Sequence, residues 1–74
     1  MRTEIAAKDF THNRVMVRTI TGVEITFGRE RGIVRFVAKS PPRYVDKDLF
    51  NEARELAKKE FKTFREAKEA AAQK

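Results

Sequence analysis

The chain of 74 residues contains no cysteine and no tryptophan, and it has one histidine. Without cysteine, no disulfide, thiolate metal site or cysteine nucleophile is available. Small secreted domains usually carry disulfides, so this absence favours a cytoplasmic location. No apolar run approaches the roughly 20 residues that span a bilayer, and residues 1–5 do not lead into the apolar core of a signal peptide. We therefore expect a soluble intracellular protein with no membrane association.

Few residues of the sequence are suited to catalysis. His12 and Asp9 could form an acid/base pair, but a lone histidine in a connection is more often an exposed loop residue. Two histidines for a metal site are lacking, and most carboxylates alternate with lysines near the C-terminus, as on a solvated surface. We expect a protein that is not an enzyme, with no cofactor, no metal and no small-molecule substrate.

Positive charge is in excess, with 17 Lys and Arg residues against 11 Asp and Glu residues and a formal net charge of +6. This charge suits attraction to nucleic acid, to an acidic protein or to an anionic surface. The length predicts a single small domain over residues 1–74, near the lower limit for a self-sufficient core.

Residues 14–39 alternate apolar and polar side chains in three runs, which predicts an antiparallel β-meander. The predicted strands cover residues 14–20, 23–28 and 33–39. Residues 2–8 are compatible with a fourth strand at the N-terminal edge, with Ile5 and Ala7 on one side, and residues 9–13 form a connection.

Loop lengths decide the register of the meander. A two-residue first loop would place Arg18 on the same face as Ile25 and Phe27. A three-residue loop over residues 20–22 ends in Gly22, where a left-handed glycine is favoured, and it separates apolar from charged residues. We predict this loop, because a one-residue slip destroys the separation.

A four-residue second loop over residues 29–32 likewise ends in a glycine and would pair Phe27 with Val34 and Ile25 with Phe36. The predicted buried face then consists of Val15, Val17, Val23, Ile25, Phe27, Val34, Phe36 and Ala38.

A proline-containing linker at residues 40–45 ends the third strand. A helix is predicted over residues 46–72, with Asp46 as its N-cap and no Gly or Pro to stop it. The fold class is therefore α+β, a three- or four-stranded antiparallel meander followed by one long amphipathic helix on one sheet face. The apolar stripe of the helix contains Leu49, Phe50, Ala53, Leu56, Ala57, Phe61, Phe64, Ala67 and Ala71.

The predicted helix is longer than the sheet. It would extend about 39 Å, whereas strands of six or seven residues extend about 20–23 Å. The sheet therefore cannot cover the distal apolar residues of the helix, and other contacts must bury them: Phe61, Phe64 and Ala67. The N-terminal segment with Ile5 and Phe10, a second copy in a homodimer, or a target could supply these contacts.

The outer sheet face combines arginines with apolar residues. Arginine binds phosphates and guanine edges, and a small sheet can enter a DNA groove. The candidate nucleic-acid contacts on this face are Arg14, Arg18, Arg35 and Lys39, and Arg29 and Arg31 at the tip of the second hairpin are expected to contact phosphate. The lack of an aromatic residue on this face disfavours single-strand binding there.

Two other interpretations of this face remain open. In one, it is a protein contact, and the candidate residues are Met16, Ile33 and Val37, together with Phe61 and Phe64 on the helix. In the other, it is a solvated face on which Arg18 neutralises Glu24. The helix carries a second basic cluster, which glutamates dilute and which we interpret as solvated: Lys58, Lys59, Lys62, Arg65 and Lys68.

The order of three antiparallel strands and a helix resembles the small sheet-reading DNA-binding domains of plant transcription factors and of some phage and transposon integrases. The resemblance is one of layout, none of their sequence motifs occurs here, and no site residue is transferred. The first hypothesis is a DNA-binding accessory or regulatory protein that binds duplex DNA. The alternative is a protein-binding module that docks on a larger or acidic partner, as small phage-encoded inhibitors of similar size do, or that dimerises.

Overall fold

The computed structural model describes residues 2–72, which form four strands and one helix. The elements are β1 (Thr3–Asp9), β2 (Arg14–Thr19), β3 (Glu24–Glu30), β4 (Ile33–Ser40) and α1 (Lys47–Ala72). The strands form one antiparallel sheet in the order β1-β2-β3-β4. The α+β class, the meander and the C-terminal helix are confirmed, and the N-terminal segment is the fourth strand.

The hairpin between β2 and β3 has the predicted register. Val17 pairs with Ile25, and Gly22 has a φ of 87°. The Gly22 amide donates a hydrogen bond to the Thr19 carbonyl at 2.9 Å. Glycine is required here because side chains with a Cβ rarely adopt this φ.

The hairpin between β3 and β4 differs from the prediction. Its loop has two residues, Arg31 and Gly32, with φ values of 54° and 80°, instead of four. Two consecutive positive φ angles are typical of a type I′ turn, whose twist matches that of the strands. The register therefore moves by two residues, and Phe27 pairs with Phe36 instead of Val34. This even shift leaves Val34 and Phe36 on the side that faces the helix.

A β-bulge changes the faces of β4 beyond Val37. Val37 is the extra residue, so Ala38 pairs with Thr26 and Lys39 with Ile25. Ile25 is buried on the helix-facing side, so the outer-face position predicted for Lys39 is wrong. Ala38, which was expected in the buried face, is exposed.

A second bulge interrupts β1. Ile5 pairs with Val17, whereas Ala7 pairs with Met16, and the register shifts between them. Val17 is buried and Met16 lies on the outer face, so Ile5 and Ala7 point to opposite sides of the sheet, contrary to the prediction.

The core lies between the sheet and the helix. Asp46 caps the helix, because its carboxylate accepts a hydrogen bond from the Asp48 amide at 3.2 Å. The helix packs mainly over β1 and β2, so it covers the inner side of β4 only partly. Phe36 is consequently 49% exposed rather than buried. The buried core residues are Val15, Val17, Val23, Ile25, Phe27, Val45, Leu49, Ala53, Ala57 and Phe61.

The N-terminal segment covers part of the helix that the strands do not reach. Phe10 stacks on Phe64 with a ring-centroid distance of 4.1 Å and meets Phe61 edge-on at 6.0 Å. Phe61 is 2% exposed, so it packs within its own chain and has no surface to offer a partner. Ala67 and the rest of residues 65–72 are exposed.

Candidate nucleic-acid interface

The outer face of the sheet has little net charge. Arg18 lies 3.4 Å from a Glu4 carboxylate oxygen and 3.7 Å from one of Glu24. By strand pairing, this face holds the three arginines Arg14, Arg18 and Arg35 and the four carboxylates Glu4, Asp9, Glu24 and Glu30. Electrostatic attraction to a polyanion is therefore weak on the face that sequence analysis favoured.

Arg14 has a structural role on this face. Its Nη1 donates hydrogen bonds to the His12 carbonyl at 3.0 Å and to the Asn13 carbonyl at 3.2 Å. A Cβ at Gly28 would lie 2.7 Å from the same Nη1. Because Gly28 has no side chain, the Arg14 guanidinium can lie over it and donate hydrogen bonds to the turn between β1 and β2.

A cleft of about 490 Å³ lies between the helix and the start of β4. Five cationic side chains line it, four from the helix and one from β3: Arg54, Lys58, Lys62, Arg65 and Arg29. Gly32, Ile33, Val34 and Phe61 form the remaining walls. No carboxylate of residues 2–72 is among the lining side chains, and we call this site the basic cleft.

Helical geometry explains why four of these cations meet. Arg54, Lys58, Lys62 and Arg65 are separated by four, four and three residues, so they lie along one flank of the helix. The basic cluster predicted on the helix lacks Arg54 and includes Lys59, which lines a different depression beside β1. The spacing of these four residues is the signal that could have identified this flank.

Arg29 reaches the cleft because of the register of β4. It pairs with Val34, on the side of the sheet that faces the helix, and its guanidinium carbon lies 5.9 Å from the centroid of the Phe61 ring. This distance allows a cation–π contact. The two-residue turn leaves Arg31 exposed at its tip.

The charges of the cleft are only partly compensated. Lys58 lies 3.5 Å from Glu55, and Arg65 lies 3.1 Å from Glu69. Within residues 2–72, Arg29, Arg54 and Lys62 have no carboxylate within 4 Å. The Arg54 Nε is buried and has no hydrogen-bond acceptor in the described part of the chain. Such an unsatisfied donor costs free energy.

The candidate protein-contact residues fall into two groups. On the outer face, Ile33 is 56% and Val37 44% exposed, and Met16 is half-buried. Phe64 is half-buried beneath Phe10, and Phe61 is buried. Ile33 and Val37 are thus the candidates that present the most apolar surface to a partner.

The Asp9–His12 pair belongs to the turn after β1. His12 Nδ1 lies 2.8 Å from an Asp9 carboxylate oxygen, and this hydrogen bond is the main cause that lowers the pKa of Asp9 below its ordinary 3.8. Both side chains are exposed. Among the described residues, no group of three potential ligands is placed to hold a metal ion.

Over residues 2–72, no helix combines the length and apolar character needed to cross a membrane. Comparison with known proteins finds no family model, no curated protein and no solved structure that matches the chain.

Proposed function

We propose that this chain is a small non-enzymatic nucleic-acid-binding protein, accessory or regulatory in role, and that its basic cleft holds the phosphate backbone. The observation that carries the proposal is the set of five cations around one cleft that no carboxylate lines in residues 2–72. The net charge of +6 provides long-range attraction.

The chemistry of the cleft suits phosphate. Arginine binds phosphate oxygens through two parallel hydrogen bonds, and lysine binds them as a compact charge. A phosphodiester backbone would bring negative charge to Arg29, Arg54 and Lys62, which lack carboxylate partners within residues 2–72. Release of counterions from the nucleic acid would add to the affinity and make it depend on salt.

The first experiment measures binding of labelled oligonucleotides by fluorescence anisotropy between 50 and 200 mM salt. We expect Lys62→Glu to weaken binding about tenfold or more, because it removes a charge-assisted contact and adds repulsion. Lys59→Glu is the matched control, since it makes the same charge change three residues away, outside the cleft. Equal effects of the two variants, or no binding at 50 mM salt, would contradict the proposal.

A second variant separates the cleft from the outer face. The double variant Arg18→Ala with Arg35→Ala removes two outer-face cations and leaves the cleft intact. Binding within about twofold of the original chain supports the cleft, since these residues contribute no phosphate contact there. A loss as large as that of Lys62→Glu would return the interface to the outer face.

A protein-binding module is the second candidate, and the exposed edge of β4 favours it. β4 is an outer strand of the sheet, and it exposes Ile33 and Val37 on the outer face. An edge strand with apolar side chains is a template for pairing with another strand, from a partner or from a second copy. Affinity purification with and without nuclease, combined with sedimentation equilibrium, distinguishes this function. A nuclease-resistant partner, or twice the monomer mass, would favour it.

A further inference from the structure

We infer that the basic cleft takes single-stranded rather than duplex nucleic acid, with Phe36 as a platform on which a base stacks. This inference rests on the proposed function and specifies its ligand. Single-strand binding proteins combine a positively charged groove that follows the backbone with aromatic side chains that stack on bases. The partly covered inner side of β4 carries these two components next to each other.

The first component is the shape of the charged site. The cations surround a cleft of about 490 Å³, and Arg54, whose Nε is buried, lines it. A duplex is a rigid rod with phosphates on its outside. Its phosphates can contact the rim of the cleft, but neither of its paired strands can enter it. An unpaired strand is flexible enough to place both phosphate and base inside.

The second component is an aromatic ring beside the cleft. Phe36 lies on the same side of β4 as Val34, a lining residue, two positions and about 7 Å along the strand. The residue is 49% exposed, and its ring packs against that of Phe50 at a centroid distance of 5.9 Å and an interplanar angle of 55°. Phe36 is thus held by an aromatic contact and leaves about half of its surface available to a base.

The remaining lining residues fit a sequence-tolerant site. Val34 offers an apolar wall to the flat face of a base, and the guanidinium planes of Arg29 and Arg54 add further stacking surfaces. Neither feature distinguishes one base edge from another. We therefore expect single strands of different sequence to bind with similar affinity.

The decisive comparison titrates labelled dT15 and a 15-base-pair duplex against the intact chain at the same salt concentration. We expect the single strand to bind at least tenfold more tightly. If all five cations contact phosphate, its log–log salt slope should be about −3.5. A duplex that binds equally or more tightly overturns this inference and leaves the proposed function standing. Failure of both ligands at 50 mM salt overturns both.

Stacking is tested separately with an introduced tryptophan. The chain has no tryptophan, so Phe36→Trp creates a single fluorescent reporter, and we expect saturating dT15 to quench it strongly. Ile20→Trp is the control, because Ile20 is 72% exposed in the turn between β2 and β3, away from the cleft. Equal quenching of the two variants, or no quenching at Phe36→Trp, contradicts the stacking role.

The variant Phe36→Leu tests the stacking role through the affinity for dT15. Leucine keeps most of the apolar volume but removes the aromatic face, so we expect dT15 to bind roughly fivefold or more weakly. An unchanged melting temperature shows that the fold is retained. Unchanged affinity in a folded variant would overturn the assignment of Phe36.

Discussion

One flank of the helix faces β1 and the other faces β4, and the two differ in whether their cations are paired with carboxylates. On the β1 flank, Arg2 pairs with Glu52, and Lys8 lies 3.7 Å from Glu60, so cations of the N-terminal segment meet carboxylates of the helix. Phe10 closes the same flank by stacking on Phe64. On the β4 flank every charged side chain of residues 2–72 that the helix presents to the cleft is a cation, and Phe36 stays 49% exposed although Phe50 packs against it.

This difference shows where the excess charge can act. Ion pairs between exposed side chains contribute little stability, but they cancel the field that a polyanion would sense. The β1 flank is therefore a structural contact, and the β4 flank keeps its field. The net charge of +6 is informative because much of it is concentrated on the side of the helix that the fold leaves open.

The largest expected effect comes from Phe61, which both flanks share. Its ring lies 6.0 Å from Phe10 and 5.9 Å from the Arg29 guanidinium. We expect Phe61→Ala to lower the free energy of unfolding by about 3–5 kcal/mol, because it leaves a cavity in the core. Urea denaturation measures this value. Phe64→Ala should cost clearly less, since Phe64 is only half-buried. A loss below about 1 kcal/mol for Phe61→Ala would show that the flanks do not depend on this ring.

Arg54 tests whether the β4 flank is built for binding rather than for stability, because we expect its removal to raise stability and to weaken binding. The buried Nε of Arg54 has no acceptor in residues 2–72, and its charge is close to other cations. Arg54→Met should raise the free energy of unfolding by about 1 kcal/mol at low salt, while oligonucleotide affinity falls. Urea denaturation and anisotropy on the same preparation measure the two effects. A variant that is both less stable and weaker in binding would indicate that Arg54 is a structural residue.

The hairpins show which parts of this arrangement the sequence could predict. The first loop follows from sequence because Gly22 and the alternation of apolar residues agree on one register. The second does not, because loops of two and of four residues both keep Val34 and Phe36 on the inner side. The two-residue loop also needs a positive φ at Arg31, which has a φ of 54° although its residue type rarely adopts one, so the residue types did not indicate this turn.

The cleft was less accessible to sequence reasoning than the fold. Lysines and glutamates alternate along the helix sequence, and only the helical spacing of Arg54, Lys58, Lys62 and Arg65 separates them into flanks. The exposure of Phe36 depends on the offset of the helix toward β1 and β2. That offset is a property of tertiary packing which no local pattern encodes.

A smaller effect is expected for the ion pair between Arg2 and Glu52 on the β1 flank. Glu52→Gln removes the charge partner of Arg2, and both side chains are about half exposed. We expect a loss of at most about 1 kcal/mol in the free energy of unfolding, which added salt should diminish. Lys62→Gln on the β4 flank should instead leave stability unchanged or raise it at low salt, since it reduces repulsion. Equal losses in the two variants, measured by urea denaturation, would show that the flanks are electrostatically alike.

The smallest effect concerns the turn that carries Phe10 to the β1 flank. The hydrogen bond with the His12 side chain lowers the pKa of Asp9 in the folded chain below 3.8. The bond therefore adds stability above that pH, and the contribution is lost as the pH falls through the lower folded value. We expect His12→Ala to raise the pKa of Asp9 toward 3.8, as followed by NMR titration of its carboxyl carbon. Thr11→Ala, a change in the same turn at a residue without a positive φ, leaves the His12 side chain in place and is the control. If Asp9 titrates alike in the original chain and in His12→Ala, the side-chain hydrogen bond does not hold this turn in solution.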